Sequence, residues 1–165
     1  MKLKMLTKYL QQAGLLLGAS VYSQYTYDAD LLLKAAAAVG ATADGTLILD
    51  VGNGLLDACL VVDATAVEID SNDESYEIVL QGSSDAAFGT AANIAALCSV
   101  TIGDKASTRL AAGVLANGTD DVAGRYVMCF RNERNGTTYR YLRLKTIVVG
   151  TIATGITYSA FVAKR

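Results

Sequence analysis

The C-terminal part of the chain constrains the fold most, because it predicts three successive β-strands. The predicted strands are residues 125–131, 138–149 and 156–163. Asn135-Gly136 lies between the first two, and Asn-Gly between β-rich runs is a strong hairpin signal because both residues tolerate positive φ. A loop that begins and ends with glycine, residues 150–155, precedes the third strand. We therefore predict an antiparallel meander in this part of the chain.

Side chains alternate along each of these strands, so that each strand presents one apolar face. The residues on these faces are Tyr126, Met128, Phe130, Leu142, Leu144, Thr146, Ile156, Tyr158, Ala160 and Val162. A period of two is typical of a strand with one buried side. We expect Leu142, Leu144, Tyr158 and Val162 to be substantially buried.

The preceding part of the chain continues the pattern of short β-rich runs. Further predicted strands are residues 46–51, 55–68, 75–81, 94–102 and 108–114. Residues 25–38 predict an extended segment or short turn, and residues 82–93 a loop with one buried side chain, Phe88. Turns rich in Gly, Asn and Asp separate the strands. The sequence therefore predicts an all-β fold, an antiparallel two-sheet sandwich that is jelly-roll-like, over residues 25–165.

Residues 1–24 predict an N-terminal arm outside the sandwich. An apolar stripe at helical spacing favours an amphipathic helix, and its leucines are Leu3, Leu6, Leu10 and Leu17. A signal peptide and a disordered segment are the alternatives, although the apolar run at residues 15–17 is short for a signal peptide. No stretch approaches the ~20 apolar residues of a membrane span. We expect the arm to contact a neighbouring subunit.

The sequence contains no histidine, and this excludes a large part of enzyme chemistry. A Ser-His-Asp triad, a Cys-His dyad and an imidazole metal ligand all require that residue. Cys59, Cys98 and Cys129 are far apart in sequence and lie in apolar runs, so we expect reduced core residues. We predict no catalytic residue, no cofactor and no metal site.

Three motifs suggest chemistry that their details do not support. Residues 70–81 begin like a calcium loop, but Ser75 and Gln81 stand where an EF-hand needs Gly and Glu. Residues 150–157 have the glycine spacing of a P-loop, but Ile156 replaces its lysine. Asp120-Asp121 predicts a solvated turn. We interpret all three as structural loops.

Basic residues concentrate in one segment, at Arg131, Arg134, Arg140, Arg143 and Lys145. In an extended strand, Tyr139, Tyr141, Arg143 and Lys145 would share one face. This face is either a solvated sheet surface or a protein interface, because interleaved Tyr and Arg are enriched at interfaces. The net charge of −2 argues against nucleic acid and a membrane as partners.

Three stretches resemble a known family. They are Thr46-Leu47-Ile48-Leu49-Asp50-Val51-Gly52, Tyr139-Arg140-Tyr141-Leu142-Arg143-Leu144, and Gly150-Thr151 followed by the final strand. In order and spacing, residues 27–165 resemble the capsid cement (decoration) proteins of tailed phages. Residues 1–24 are an extension relative to that pattern.

The resemblance implies a non-enzymatic jelly roll, made in the host cytoplasm, that binds the outside of the icosahedral capsid in the virion. Its partners would be the major capsid protein, whose subunits it bridges, and itself, as a homo-oligomeric dimer or trimer. We keep two alternatives open. One is a phage head–tail connector or tail-tube subunit, and the other is a small-molecule or glycan-binding β-sandwich.

Overall fold

The computed structural model describes residues 25, 27–71, 73–103 and 123–164. Over these residues the chain folds into antiparallel β-sheets packed face to face, which confirms the predicted all-β sandwich. The predicted arm, the predicted strand at residues 108–114 and Asp120-Asp121 lie outside the described residues.

Eleven strands are present in the described part of the chain. They are β1 (Leu32–Val39), β2 (Ala43–Asp44), β3 (Leu49–Asp50), β4 (Asp57–Val67), β5 (Ser75–Ser83), β6 (Ile94–Ile102), β7 (Gly124–Arg131), β8 (Glu133–Arg134), β9 (Thr137–Thr138), β10 (Tyr141–Val149) and β11 (Ile156–Lys164). Single 3-10 turns form at Ala29–Leu31 and Ala91–Asn93. The six long strands from β4 to β11 overlap their predicted ranges almost completely.

The order of the strands defines a jelly roll. One sheet has the order β1-β11-β4-β7, and the other has the order β2-β10-β5-β6 with β3 also on β10. The first strand pairs with the last, β2 and β3 pair with β10, β4 pairs with β7, and β5 pairs with β6. This nested pairing is a long antiparallel hairpin folded over on itself, the topology of double-sheet jelly rolls.

The predicted meander is wrong. Strands β7, β10 and β11 alternate between the two sheets, and β7 pairs with β4 while β10 pairs with β5. The Asn135-Gly136 turn, with φ values of 52° and 80°, closes only the short ribbon of β8 and β9. The predicted turn at Asn135-Gly136 is therefore correct, but it connects only the two-residue strands β8 and β9. The long strands β7 and β10 pair instead with β4 and β5, and this pairing buries the inner face of each sheet.

The core lies between the two sheets and contains the predicted apolar faces. Leu142, Leu144, Tyr158 and Val162 are all at most 2% exposed, as predicted. The hydroxyls of Thr146 and Tyr158 lie 2.5 Å apart and satisfy one another inside this core. Burial raises the pKa of Tyr158, so this phenol remains neutral and acts as a hydrogen-bond partner.

A buried carboxylate fixes the loop between β10 and β11 at one end of the sandwich. The backbone N–H groups of Ala153 and Thr154 donate to Glu68 over 2.8 and 2.6 Å, and the N–H of Gly155 donates to the same carboxylate. These backbone donors hold the pKa of Glu68 below its ordinary value. Glu68 therefore acts as an internal anchor for residues 150–155, the segment with the glycine spacing of a P-loop.

The polar segment with the calcium-loop resemblance is a structural turn, as predicted. The carboxylate of Glu74 is fully buried and accepts from the N–H groups of Ser71 and Asp73, over 2.6 and 3.0 Å. Asp73 in turn accepts from the backbone N–H and the hydroxyl of Thr151. The carboxylates of Glu74 and Asp73 thus accept hydrogen bonds from backbone N–H groups at the same end of the sandwich.

At the opposite end, a buried asparagine joins β7 to the chain before β4. Asn132 is fully buried; its Nδ2 donates to the carbonyls of Gly54 and Tyr139, and its Oδ1 accepts from the N–H of Leu56. The Asn132 side chain thus connects the backbone that follows β7 to the backbone at residues 54–56 and at Tyr139.

Candidate interaction surface

Strand β10 presents its polar side chains on the outer face of the second sheet. Tyr141, Arg143 and Lys145 alternate with the buried Leu142 and Leu144, and all three are half-buried. The predicted shared face is therefore confirmed for these three residues.

Tyr139 does not belong to this face. It precedes β10, and its N–H donates to the carbonyl of Asn132. Its Cβ lies 2.8 Å from the position that a Cβ on Gly82 would take. Gly82 is paired with the buried Leu142, so this contact is on the inner side of the sheet. The chain bends between Tyr139 and the start of β10 at Tyr141. The prediction that Tyr139 shares the outer face is therefore wrong.

Arg143 is enclosed by three partners rather than open to solvent. Its guanidinium carbon lies 4.3 Å from the centre of the Phe88 ring, and its Nε donates to Gln81 Oε1 over 2.9 Å. Its Nη2 lies 3.3 Å from Asp44 Oδ2, and its side chain is only 14% exposed. A planar guanidinium can stack and donate at its edge at the same time, so Arg143 holds the loop after β5 against the sheet.

That loop is organised by Asp85. Its carboxylate accepts from the N–H groups of Ala87 and Gly89, and its backbone carbonyl accepts from the N–H of Phe88. Phe88 has a φ of 50°, which is uncommon for an aromatic residue, and it is 6% exposed. The Asp85 turn and the stacking on Arg143 together stabilise this conformation, and the predicted burial of Phe88 is confirmed.

The other basic residues of the segment also have partners within the chain. Arg131 pairs with Asp57, Lys145 lies 3.8 Å from Asp44, and Arg134 donates to the carbonyl of Ala96. Because Arg131 and Lys145 stand opposite their acidic partners on neighbouring strands, the pairs support strand register. These basic side chains therefore contact neighbouring strands of the same chain rather than standing free of partners.

Arg140 forms a two-point ion pair, as Arg131 does with Asp57. Its Nε and Nη2 donate to the two carboxylate oxygens of Asp50 over 2.8 and 2.7 Å, in the fork geometry that favours arginine. This contact, with the N–H of Gly52, lowers the pKa of Asp50 to about 2. The carbonyl of Arg140 also accepts from the N–H of Val51.

Two stretches that the sequence analysis singled out, residues 46–52 and 139–144, meet at this pair. In β3, Leu49 and Asp50 stand opposite Leu142 and Tyr141 of β10. The predicted strand at residues 46–51 is much shorter than expected, because only Leu49 and Asp50 pair with β10. The two stretches therefore form one paired structural unit.

Apolar side chains are exposed beside this unit. Leu47 and Ile48, in the connection from β2 to β3, are 41% and 44% exposed. Leu47 also lines a cleft of about 420 Å³ where β1 and β2 form the open edges of the two sheets. Lys34 reaches into this cleft and stacks on the Tyr158 ring at 4.4 Å, and burial lowers its pKa. Sequence reasoning missed this edge because it assigned residues 46–51 to a continuous strand.

The described residues contain no group of three His, Cys, Asp or Glu side chains placed to hold a metal ion. Nor does this part of the chain contain a helix with the length and apolar character that a membrane crossing requires. In comparisons with known proteins, no family model matches the sequence. No curated protein matches it significantly either.

Proposed function

We propose that this protein is a structural component of a tailed-phage virion, a cement protein that binds the outside of the icosahedral capsid and bridges major capsid subunits. The observation that carries the proposal is the pairing of β3 with β10. It joins Asp50 and Arg140, from two of the stretches that resemble cement proteins, within one jelly roll. A fold alone does not define a function, so the proposal depends on this combination of fold and resemblance.

The chemistry of the described surface is consistent with a passive binding role. The basic residues of the 131–145 segment are paired internally, and the loop over Arg143 is held in place. Every buried side-chain nitrogen and oxygen in the described residues has a hydrogen-bond partner. A preorganised body loses little entropy on binding, and weak contacts repeated over a closed shell add through multivalency.

The proposed partners are the major capsid protein and further copies of this chain, in a dimer or trimer. Among the candidate interface residues, Tyr141 and Lys145 lie together on the outer face of the second sheet. Arg143 contributes by fixing the adjacent loop, and Tyr139 by packing at the end of the sandwich. Leu3, Leu6, Leu10 and Leu17 lie outside the described residues and remain predicted contacts of the arm.

Cryo-electron microscopy of particles that carry this chain tests the proposal. A cement protein is expected to follow the icosahedral lattice on the outer surface, with density that touches neighbouring capsid subunits. A single ring at one vertex would identify a connector instead, and a stack of rings in the tail would identify a tail-tube subunit. Either outcome, or absence from the particle, would overturn the cement assignment.

A binding assay with shells that lack the protein addresses the proposed face. The double substitution Tyr141→Ala and Lys145→Gln is expected to weaken binding while leaving the fold intact, because both side chains lie outside the core and glutamine adds no like charge opposite Asp44. Val127→Ala is the matched control, since Val127 is exposed on the outer face of the other sheet. Equal binding by both variants would exclude the β10 face from the interface.

A further inference from the structure

Two cysteines lie directly opposite one another on neighbouring strands. Cys59 of β4 is the register partner of Cys129 of β7, and their sulfur atoms are 2.6 Å apart. Their chain neighbours, Leu60 and Met128, pack into the core. Because side chains alternate across a sheet, both thiols therefore lie on its outer face.

The structure corrects the expectation that all three cysteines are core residues. Cys59 is buried, but Cys129 is exposed, and Cys98 is half-buried. Cys98 lies on β6 of the other sheet and packs against the core. The sequence alone does not predict this contact, because 70 positions separate Cys59 from Cys129. The two residues become neighbours only through the register of β4 and β7.

We propose that Cys59 and Cys129 form a reversible intramolecular disulfide when the protein meets a small-molecule disulfide such as oxidised glutathione. Directly opposed residues of antiparallel strands have Cα atoms roughly 4.5–5.5 Å apart, which lies within the range that a disulfide spans. The thiols are in contact at 2.6 Å, and the bond needs about 2.05 Å. A small adjustment of two side chains is therefore sufficient.

The exchange proceeds in two balanced steps. The exposed Cys129 loses its proton, and its thiolate attacks one sulfur of oxidised glutathione, forms a mixed disulfide and releases one glutathione thiolate. Cys59 then loses its proton and attacks the Cys129 sulfur, and the second glutathione thiolate leaves. The protein dithiol has given up two electrons and two protons, and glutathione disulfide has been reduced to two thiols.

The bond would fasten an edge strand. Strand β7 is at the end of its sheet and hydrogen-bonds to β4, and edge strands are held by fewer neighbours than central ones. A crosslink over 70 positions also restricts the unfolded chain strongly. The protein would be a dithiol in a reducing cytoplasm and gain the crosslink in an oxidising medium.

The test exposes the full chain to graded ratios of oxidised to reduced glutathione, followed by acid quenching, alkylation and peptide mass mapping. The expected product carries one internal crosslink between the Cys59 and Cys129 peptides and keeps an alkylatable Cys98 after denaturation. The Tm of this product should exceed that of the reduced protein by several degrees, and reduction should restore the lower Tm. Cys98→Ser is the matched control and should form the same crosslink, whereas Cys129→Ser should form none.

Three outcomes would overturn the proposal. One is retention of all three thiols under conditions that oxidise ordinary pairs of cysteine thiols to structural disulfides. The second is a stable glutathione adduct on Cys129 with an alkylatable Cys59. The third is a dimer linked through Cys129. Because Cys129 is exposed, its serine variant is expected to fold, and circular dichroism verifies this.

Discussion

Arg140 and Asp50, 90 positions apart in sequence, form a two-point ion pair that fastens the short strand β3 to the start of β10. Both side chains remain partly exposed, at 42% and 46%. Exposed ion pairs contribute little to stability. The main effect of the pair is therefore to hold β3 in a defined position against the start of β10.

The first prediction concerns the titration of Asp50. Its carboxyl should titrate with a pKa of about 2 in the intact protein, and in Arg140→Met the pKa should rise toward the ordinary 3.8. Because the folded pKa is the lower one, the stabilisation by the pair is complete above about pH 4 and is lost as the pH falls toward 2. Carboxyl-resolved NMR measures both values, and equal values in the two proteins would contradict the assigned pair.

The second prediction concerns Glu68. Glu68→Gln should lower the free energy of unfolding at neutral pH, because an amide cannot accept as strongly from three backbone donors and presents its own NH₂ to them. The folded pKa of Glu68 is depressed, so the difference between wild type and variant is largest above the unfolded value near 4.5 and shrinks as the pH falls below it.

Urea titrations at several pH values measure this difference. Glu77→Gln is the control, because Glu77 lies on the outer face of β5, and it should change stability little at any pH. A Glu68→Gln effect that is constant from pH 7 to low pH would show that the carboxylate charge does not anchor the loop.

The third prediction separates backbone conformation from steric contact at glycine. A Cβ on Gly155 would clash with the Val39 carbonyl oxygen, and the residue has a φ of +80°. Gly136 has the same φ, but a Cβ there would meet no atom within 4 Å. Gly136→Ala should therefore cost only the conformational penalty, on the order of 1–3 kcal/mol, and Gly155→Ala should cost clearly more. Denaturant unfolding of both variants provides the comparison, and equal losses would contradict the close approach.

The fourth prediction concerns the core. Leu144 is 1% exposed, so Leu144→Ala should reduce the free energy of unfolding by about 2–5 kcal/mol. Val149 on the same strand is 47% exposed, and Val149→Ala should change it by roughly 0.5 kcal/mol or less. Similar losses in the two variants would contradict the burial of the β10 inner face.

Much of the strand content was accessible from sequence, because burial on one face leaves a period of two within each strand. The pairing was not accessible. Asn135-Gly136 marks a turn correctly, but whether the flanking long strands pair depends on partners far away in the chain. In this protein β7 pairs with β4, and β10 pairs with β5.

The candidate surface shows the same limit. Alternation placed Tyr141, Arg143 and Lys145 on one face, since that follows from the strand itself. The role of Arg143 could not be predicted, because its partners come from β2, β5 and the loop after β5. Tyr139 was misplaced because its neighbour Asn132 bends the chain through hydrogen bonds that no local pattern records.

The fifth prediction tests the role of Arg143 in holding the loop after β5. Arg143→Lys retains the charge, but a lysine ammonium cannot stack flat on Phe88 while it donates to Gln81 and Asp44. We expect faster hydrogen exchange at the N–H groups of Phe88 and Gly89, whose bonds to Asp85 depend on the closed loop. Lys145→Arg is the matched control, because Lys145 shares Asp44 at 3.8 Å without contacting the ring in the described structure.

Comparison with shell binding then distinguishes the two roles open to Arg143. If Arg143 acts only by positioning the loop, Arg143→Lys should weaken binding to the same degree as Phe88→Ala, which releases the same loop without changing charge. If the guanidinium contacts the capsid directly, Arg143→Lys should weaken binding more than Phe88→Ala. With 14% of its side chain exposed, Arg143 has little surface to offer a partner, so equal effects are the expected result. Unchanged exchange at Phe88 and Gly89 in Arg143→Lys would contradict the positioning role itself.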